Sequence, residues 1–130
     1  MKKVVCFGTF DLLHKGHLIF FQQAKELGDY LAVGVARDLN VEKIKGRRPK
    51  FNENQRLESV KTVALVDQVF LGDLVNPYKW IEDNNPDVIA LGYDQKYFTE
   101  NLKRIFSKIE IVKLKSYKPK IYKSSKLKSK

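Results

Sequence analysis

The only two histidines of the chain, His14 and His17, stand three residues apart in the stretch FGTFDLLHKGH, residues 7–17. Imidazoles at that spacing allow several chemistries. His-x-x-His offers two nitrogens to a metal, but a structural zinc takes about four ligands and a catalytic zinc about three from protein. No third histidine exists, and the lone Cys6 falls inside an apolar run. A nucleophile–histidine–acid constellation has no local sign. Two ordinary packing or surface histidines are a further reading. The last reading is phosphate recognition. Imidazole N–H groups would sit beside a strand-to-helix turn, where free backbone N–H groups and the helix dipole both favour an anion. Gly8 and Gly16 would let the backbone approach a ligand closely there. In-line attack on a phosphate needs mainly positioning and charge neutralisation. Neither GxxxxGK[ST] nor GxGxxG occurs, which points away from a P-loop enzyme and from an ordinary dinucleotide-binding fold.

These residues need elements to hold them. Lys2–Phe7 reads as a buried strand. Gly16–Leu27 has apolar residues at helical spacing, with Gly28 as its stop. Tyr30–Ala36 is a second strand. Asp38–Phe51 is polar, basic and punctuated by Gly46 and Pro49, and reads as a mobile loop. Asn52 or Asn54 caps a helix that runs to about Val63 and carries Arg56 in its first turns. Strands follow at Val66–Leu71, Asp87–Leu91 and Ile109–Leu114, with helices over Pro77–Asp83 and from Thr99 or Glu100 to Ser107. The alternation predicts an α/β, Rossmann-like single domain over residues 1–130. Its five-stranded, mostly parallel sheet has helices on both faces. Ligands bind beyond the carboxyl ends of such strands, where FGTFDLLHKGH, ARDLNVEK and LGYDQ all fall.

The chain has 130 residues, of which 43% are hydrophobic, enough for one packed core. Its net charge of +10 is uneven. The segment 113–130 holds eight lysines and no acid, which leaves the body nearly neutral. A polyanion could meet that segment, but the body does not suggest a nucleic-acid surface. One cysteine makes no internal disulfide and suits a reducing compartment. No run approaches the roughly 20 apolar residues of a membrane span, so the expected location is the cytoplasm.

Gly8-Thr9-Phe10-Asp11-Leu12-Leu13-His14-Lys15-Gly16-His17 resembles the GTFDxxHxGH signature of the cytidylyltransferase-like nucleotidyltransferases. That family includes glycerol-3-phosphate cytidylyltransferases and archaeal FAD synthases. Leu27-Gly28-Asp29-Tyr30-Leu31 is similar to the first group. Ala36-Arg37-Asp38, Lys43-Ile44-Lys45-Gly46, Gln55-Arg56-Leu57 and Leu91-Gly92-Tyr93-Asp94-Gln95 resemble the second.

The resemblance implies transfer of a nucleoside monophosphate from ATP or CTP to a phosphate monoester, with release of pyrophosphate. The first choice of acceptor is FMN and the alternative is glycerol 3-phosphate. His14 and His17 would stabilise the transition state, and Mg²⁺ would bridge the polyphosphate. Thr9 and Phe10 would touch the nucleotide, and Asp11 would meet the metal or the acceptor, or fasten the turn. Lys43, Lys45 and Arg56 would reach phosphates. Gly92 and Asp94 would lie near ribose and base, and Ser124 and Ser125 would hold triphosphate. Phe10, Trp80, Tyr93, Tyr97 and Phe98 are the candidate surface for an isoalloxazine ring. The family also implies a homodimer. Two readings stand outside catalysis: a nucleic-acid-binding domain with a lysine tail, and a silent nucleotide sensor.

Overall fold

A computed structural model describes residues 1–92 and 102–114. Strands β1 (Lys3–Gly8), β2 (Tyr30–Val35), β3 (Gln68–Leu71), β4 (Val88–Leu91) and β5 (Glu110–Lys113) form one sheet in the order β3-β2-β1-β4-β5. Every neighbouring pair is parallel. The strands alternate with helices α1 (Lys15–Lys25), α2 (Asp38–Lys45), α3 (Glu53–Lys61), α4 (Lys79–Asn84) and α5 (Leu102–Ile105).

The central strands are apolar on both faces, as a doubly covered parallel sheet requires. Val4, Cys6, Leu31, Val33, Val88 and Ala90 pack with Phe21 and Ala24 of α1 and Val60 of α3. Val5, Ala32, Ile89 and Leu91 pack on the other face with Ile81 of α4 and Leu102 of α5. Burial in β1 pushes the Cys6 thiol far up in pKa, which leaves it inert. No helix among the described residues is long and apolar enough to cross a membrane.

Two local expectations are corrected. Residues 38–45 are helix α2, not loop. Its polarity hides it, because Val41 alone among its residues is buried. Its signals are at its ends: Asp38 in the first turn, Lys43 and Lys45 in the last, and Gly46 in the left-handed region at φ 80°. Gly28 does not stop α1 with a left-handed turn. The helix ends at Lys25 with Glu26 in ordinary helical geometry. A Cβ on Gly28 would lie 2.6 Å from the Lys2 carbonyl oxygen, so its use is close approach to β1.

Arg56 ties the strand ends together. It is 0% exposed although it carries a charge. Its Nε donates to the Phe51 carbonyl at 2.9 Å and one terminal nitrogen to the Thr9 carbonyl at 2.9 Å. The other meets Asp38 Oδ1 at 2.7 Å. One side chain thereby links the segment after β1, the start of α2 after β2, and the entry to α3. Glu53 extends the link by accepting from the Asp38 backbone N–H at 2.8 Å and from Arg37 Nε at 3.1 Å.

Removing one partner of a buried ion pair leaves an uncompensated charge in the interior. Asp38→Ala is therefore expected to destabilise the protein by about 3–5 kcal/mol, seen as a lower urea midpoint. Asp38→Asn, which keeps an acceptor for the guanidinium, should lose less. A wild-type midpoint for Asp38→Ala contradicts this fastening role.

Candidate active site

The chain runs from β1 outward through β2 to β3, then returns to place β4 on the other side of β1. The order reverses between β1 and β4, and the crevice beyond their carboxyl ends is where such sheets take ligands. The His14–His17 stretch leaves β1 at this point, and Gly92 leaves β4 beside it. On the other side of β1 the Ala36 N–H donates to the Gly8 carbonyl at 3.0 Å, which fixes the exit of β2.

The turn after β1 is built on Phe10. Its backbone takes φ 53°, a left-handed value unusual for a bulky side chain. Burial holds it there: the ring is 5% exposed, in the core beside Phe21 at 5.1 Å. The same ring covers Gly8, where a Cβ would meet it at 2.6 Å. Gly8 thus makes room for Phe10 rather than for a ligand. Of Phe10 only the backbone could meet a nucleotide, and its ring is no platform for a flavin. Trp80 is likewise occupied, stacked on Phe70 at 4.7 Å.

Asp11 fastens the turn. Its Oδ2 accepts the Lys50 N–H at 2.7 Å and its Oδ1 the Phe51 N–H at 2.9 Å. Burial alone would raise its pKa, but those two N–H groups, with Arg56 and Lys45 nearby, hold it below the usual carboxylate range. Among the described residues no group of three or more His, Cys, Asp or Glu side chains could hold a metal ion. Both oxygens of Asp11 are engaged by backbone N–H groups, which places it as a fastener of the turn.

The histidine spacing has a local structural cause. His14 is the N-cap of α1 and His17 is its N3 residue. His14 Nδ1 accepts the Gly16 N–H at 3.0 Å, and His17 Nδ1 accepts the His14 N–H at 3.3 Å. This is a capping box made with imidazoles. One amide expected to face a ligand, that of Gly16, is therefore taken by His14. The rings stack at 4.0 Å, and the Phe10 ring meets His17 edge-on at 5.4 Å. A neutral imidazole that accepts at Nδ1 carries its proton on Nε2. The His14 ring is thus set to present Nε2–H as a donor, whereas the N–H of the His17 ring meets the Leu12 carbonyl. Burial, then the neighbouring His14, pushes the His17 pKa down to about 4 against an upward pull from the Leu12 carbonyl. His17 is uncharged at neutral pH.

Lys43 and Lys45 are exposed in the last turn of α2. Arg56 lies beneath the site with its guanidinium closed to solvent, so the phosphate contact expected of it is not available in this arrangement. Asp94, Ser124 and Ser125 lie outside the described residues, as do Tyr93, Tyr97 and Phe98. Sequence reasoning missed Asp38 and Glu53 as partners of the arginines. The signal was present, since Asp38 and Gly46 frame one short helix, and Glu53 directly follows the Asn52 cap.

The dual use of His14 separates by substitution. Asparagine offers a side-chain oxygen to the Gly16 N–H and is a favoured N-cap. His14→Asn should keep the wild-type urea midpoint, whereas His14→Ala should lose about 1 kcal/mol. Equal losses in both variants contradict the capping role.

Comparison with known proteins agrees with this geometry. The cytidylyltransferase-like family model matches residues 5–129. An FAD synthase from Ferroglobus placidus is 45% identical over 120 residues, covering 89% of this chain and 78% of its own length. An FAD synthase from Thermococcus sibiricus is 41% identical over 131 residues, covering 96% and 88%. The crystal structure of a lipopolysaccharide core biosynthesis protein from Thermoplasma volcanium GSS1 superposes with a TM-score of 0.82 at 37% identity, covering 90% of this chain and 98% of that one. A histidine-capped helix at the switch point of a parallel sheet, and matches that run nearly end to end, have one meaning: the chain belongs to the cytidylyltransferase-like nucleotidyltransferases and is an enzyme of that class.

Proposed function

We propose that this protein is an FMN adenylyltransferase, making FAD and pyrophosphate from ATP and FMN. The observation that carries the chemistry is the imidazole pair at the start of α1, each ring holding Nδ1 against the backbone. The choice of substrates rests on relatives of 41–45% identity that are FAD synthases.

In this reading the ATP α-phosphate lies over the N-terminus of α1, where the dipole favours negative charge. An oxygen of the FMN phosphate attacks the α-phosphorus in line. The new P–O bond forms as the bond from the α-phosphorus to the bridging oxygen breaks, and the electron pair leaves with pyrophosphate. Nε2–H of His14 would hydrogen-bond the α-phosphate oxygens as charge builds on them, with the His17 ring stacked beside it. His17 is neutral, so full positive charge would come from elsewhere. Lys43 and Lys45 would supply it, reaching in from α2. Gly92 would lie beside the ribose and base, with Asp94, while Ser124 and Ser125 would meet the triphosphate. Arg56 would act through position, by holding Thr9 and α2 in place. A divalent cation such as Mg²⁺ would arrive bound to ATP oxygens rather than wait in a protein cage.

Pyrophosphate release with Mg²⁺ tests the reading, comparing ATP plus FMN with CTP plus glycerol 3-phosphate. Turnover of the first pair is expected. His14→Asn should lower it by about 10²–10³-fold while the fold is kept. Turnover of the second pair alone overturns the substrate assignment and keeps the class. Full activity in His14→Asn overturns the imidazole role.

A further inference from the structure

Helix α2 carries the lysine turn of the site, yet little apolar packing holds it in place. It has eight residues, and a helix that short is unstable in water by itself. Val41 is its one buried side chain, while Leu39 is 49% and Ile44 51% exposed. Arg37, its N-cap, makes no side-chain capping bond. Polar contacts with its neighbours must therefore decide where α2 lies. Its last turn faces the site: Lys43 and Lys45 line, with Gly8 and Thr9, a cavity of about 340 Å³ beyond the carboxyl ends of β1 and β2.

The missing cap comes from another helix. Glu53, the first residue of α3, accepts the Asp38 N–H on Oε1 at 2.8 Å. Asp38, the first residue of α2, returns the bond, its Oδ2 accepting the Glu53 N–H at 3.2 Å. The two helices thus cap each other, each carboxylate lying where the other helix's dipole is positive. The exchange matters more to α2 than to α3. Helix α3 has its own capping box between Asn52 and Gln55, with bonds of 2.8 and 2.9 Å. Arg56 places the carboxylate of Asp38, but Glu53 places its backbone N–H, and with it the head of the helix. Glu53 Oε2 also accepts from Arg37 Nε at 3.1 Å, a part-exposed pair that adds little by itself.

We propose that Glu53 is a positioning residue of the transfer reaction: it caps α2 from α3 and so aims the Lys43–Lys45 turn at the phosphates. The assignment rests on the adenylyltransferase reading, in which those lysines supply the positive charge. Helix α2 rises about 12 Å from head to tail, so a tilt of about 5° at its capped end moves the lysine turn by about 1 Å, a displacement that can cost a large part of the rate. The Asp38 N–H needs an oxygen at a set distance and does not need a full charge there. The role therefore belongs to the reach of the Glu53 side chain more than to its charge.

The test is steady-state kinetics of FAD formation by three variants, under conditions where urea unfolding shows each to be folded. Glu53→Gln keeps an oxygen at the same reach without the charge. Glu53→Asp keeps the charge but falls one methylene short, and Glu53→Ala removes both. Glu53→Ala and Glu53→Asp should lower kcat/KM for ATP by about 10–100-fold, and Glu53→Gln by less than about threefold. The set is repeated, at raised enzyme concentration, in a Lys43→Ala/Lys45→Ala background. There Glu53→Ala and Glu53→Asp should each cost less than about twofold more, because the charges that Glu53 places are gone. Either variant serves if the other does not fold. Losses of equal size in both backgrounds overturn the proposal and leave the function standing. So does wild-type activity in Glu53→Ala, or a Glu53→Gln as impaired as alanine beside an active Glu53→Asp, which is the pattern of a charge effect. A wild type that forms no FAD overturns the function and the positioning role with it.

Discussion

A charge sealed inside the protein sets the geometry of everything around it. The Arg56 guanidinium has given up water completely, and desolvating such an ion costs several kcal/mol unless its donors find acceptors. It finds three, and each lies on a different segment: Thr9 after β1, Asp38 at the head of α2, and Phe51 before α3. None of these segments can drift without leaving part of that charge unpaired. The site is made of loops from separate strands, and loops are the mobile parts of most folds. Here one buried cation makes them a single unit. Asp11 repeats the fastening from the other direction by binding the backbone at Lys50 and Phe51. The lysines of α2 and the histidines of α1 are held in register by Arg56 and Asp11.

The imidazole pair joins structure and chemistry in the same atoms. An N-cap and an N3 residue are three apart by definition, so a helix that caps itself with histidine at both positions acquires two rings at that spacing. Capping consumes Nδ1, orients the rings and fixes the tautomer. On His14 what is left over, Nε2–H, is a preorganised donor in the proposed reaction, while the His17 N–H is held by the Leu12 carbonyl. Stacking at 4.0 Å also discourages a double positive charge, in accord with the low pKa of His17. The cost of this arrangement is that His17 brings no charge at neutral pH, which is why the cationic turn of α2 matters.

Much of this was legible in the residues, and the exceptions have physical reasons. KKVVCF, YLAVGVA and DVIAL are buried on both faces and read as strands at once. The alternation of strands and helices gave the parallel sheet and its ligand-binding end. Helix α2 was not legible by periodicity, because it rests on one buried valine and on pairing at its ends. Arg56 resembles a phosphate ligand in sequence, since nothing in a string of letters shows that Asp38, eighteen residues earlier, will neutralise it. Asp11 is similar: a carboxylate near a phosphate site suggests metal, and only the fold reveals two backbone N–H groups already on it. Phe10 could be assigned to a ligand until its left-handed backbone and buried ring place it beneath the turn. In each case the long-range partner decides the role.

The most direct measurement of the central claim is the tautomer of the two imidazoles, read from long-range proton–nitrogen NMR correlations of the ¹⁵N-labelled protein near neutral pH. The account predicts a neutral His17 with its proton on Nε2 and an unprotonated Nδ1, and the same Nε2–H tautomer for the neutral form of His14. Titration toward pH 4 should charge His17 only at the end of that range. A proton found on Nδ1 of either neutral ring, or a His17 already charged at neutral pH, would contradict the claim that capping prepares His14 as a phosphate donor beside a neutral His17.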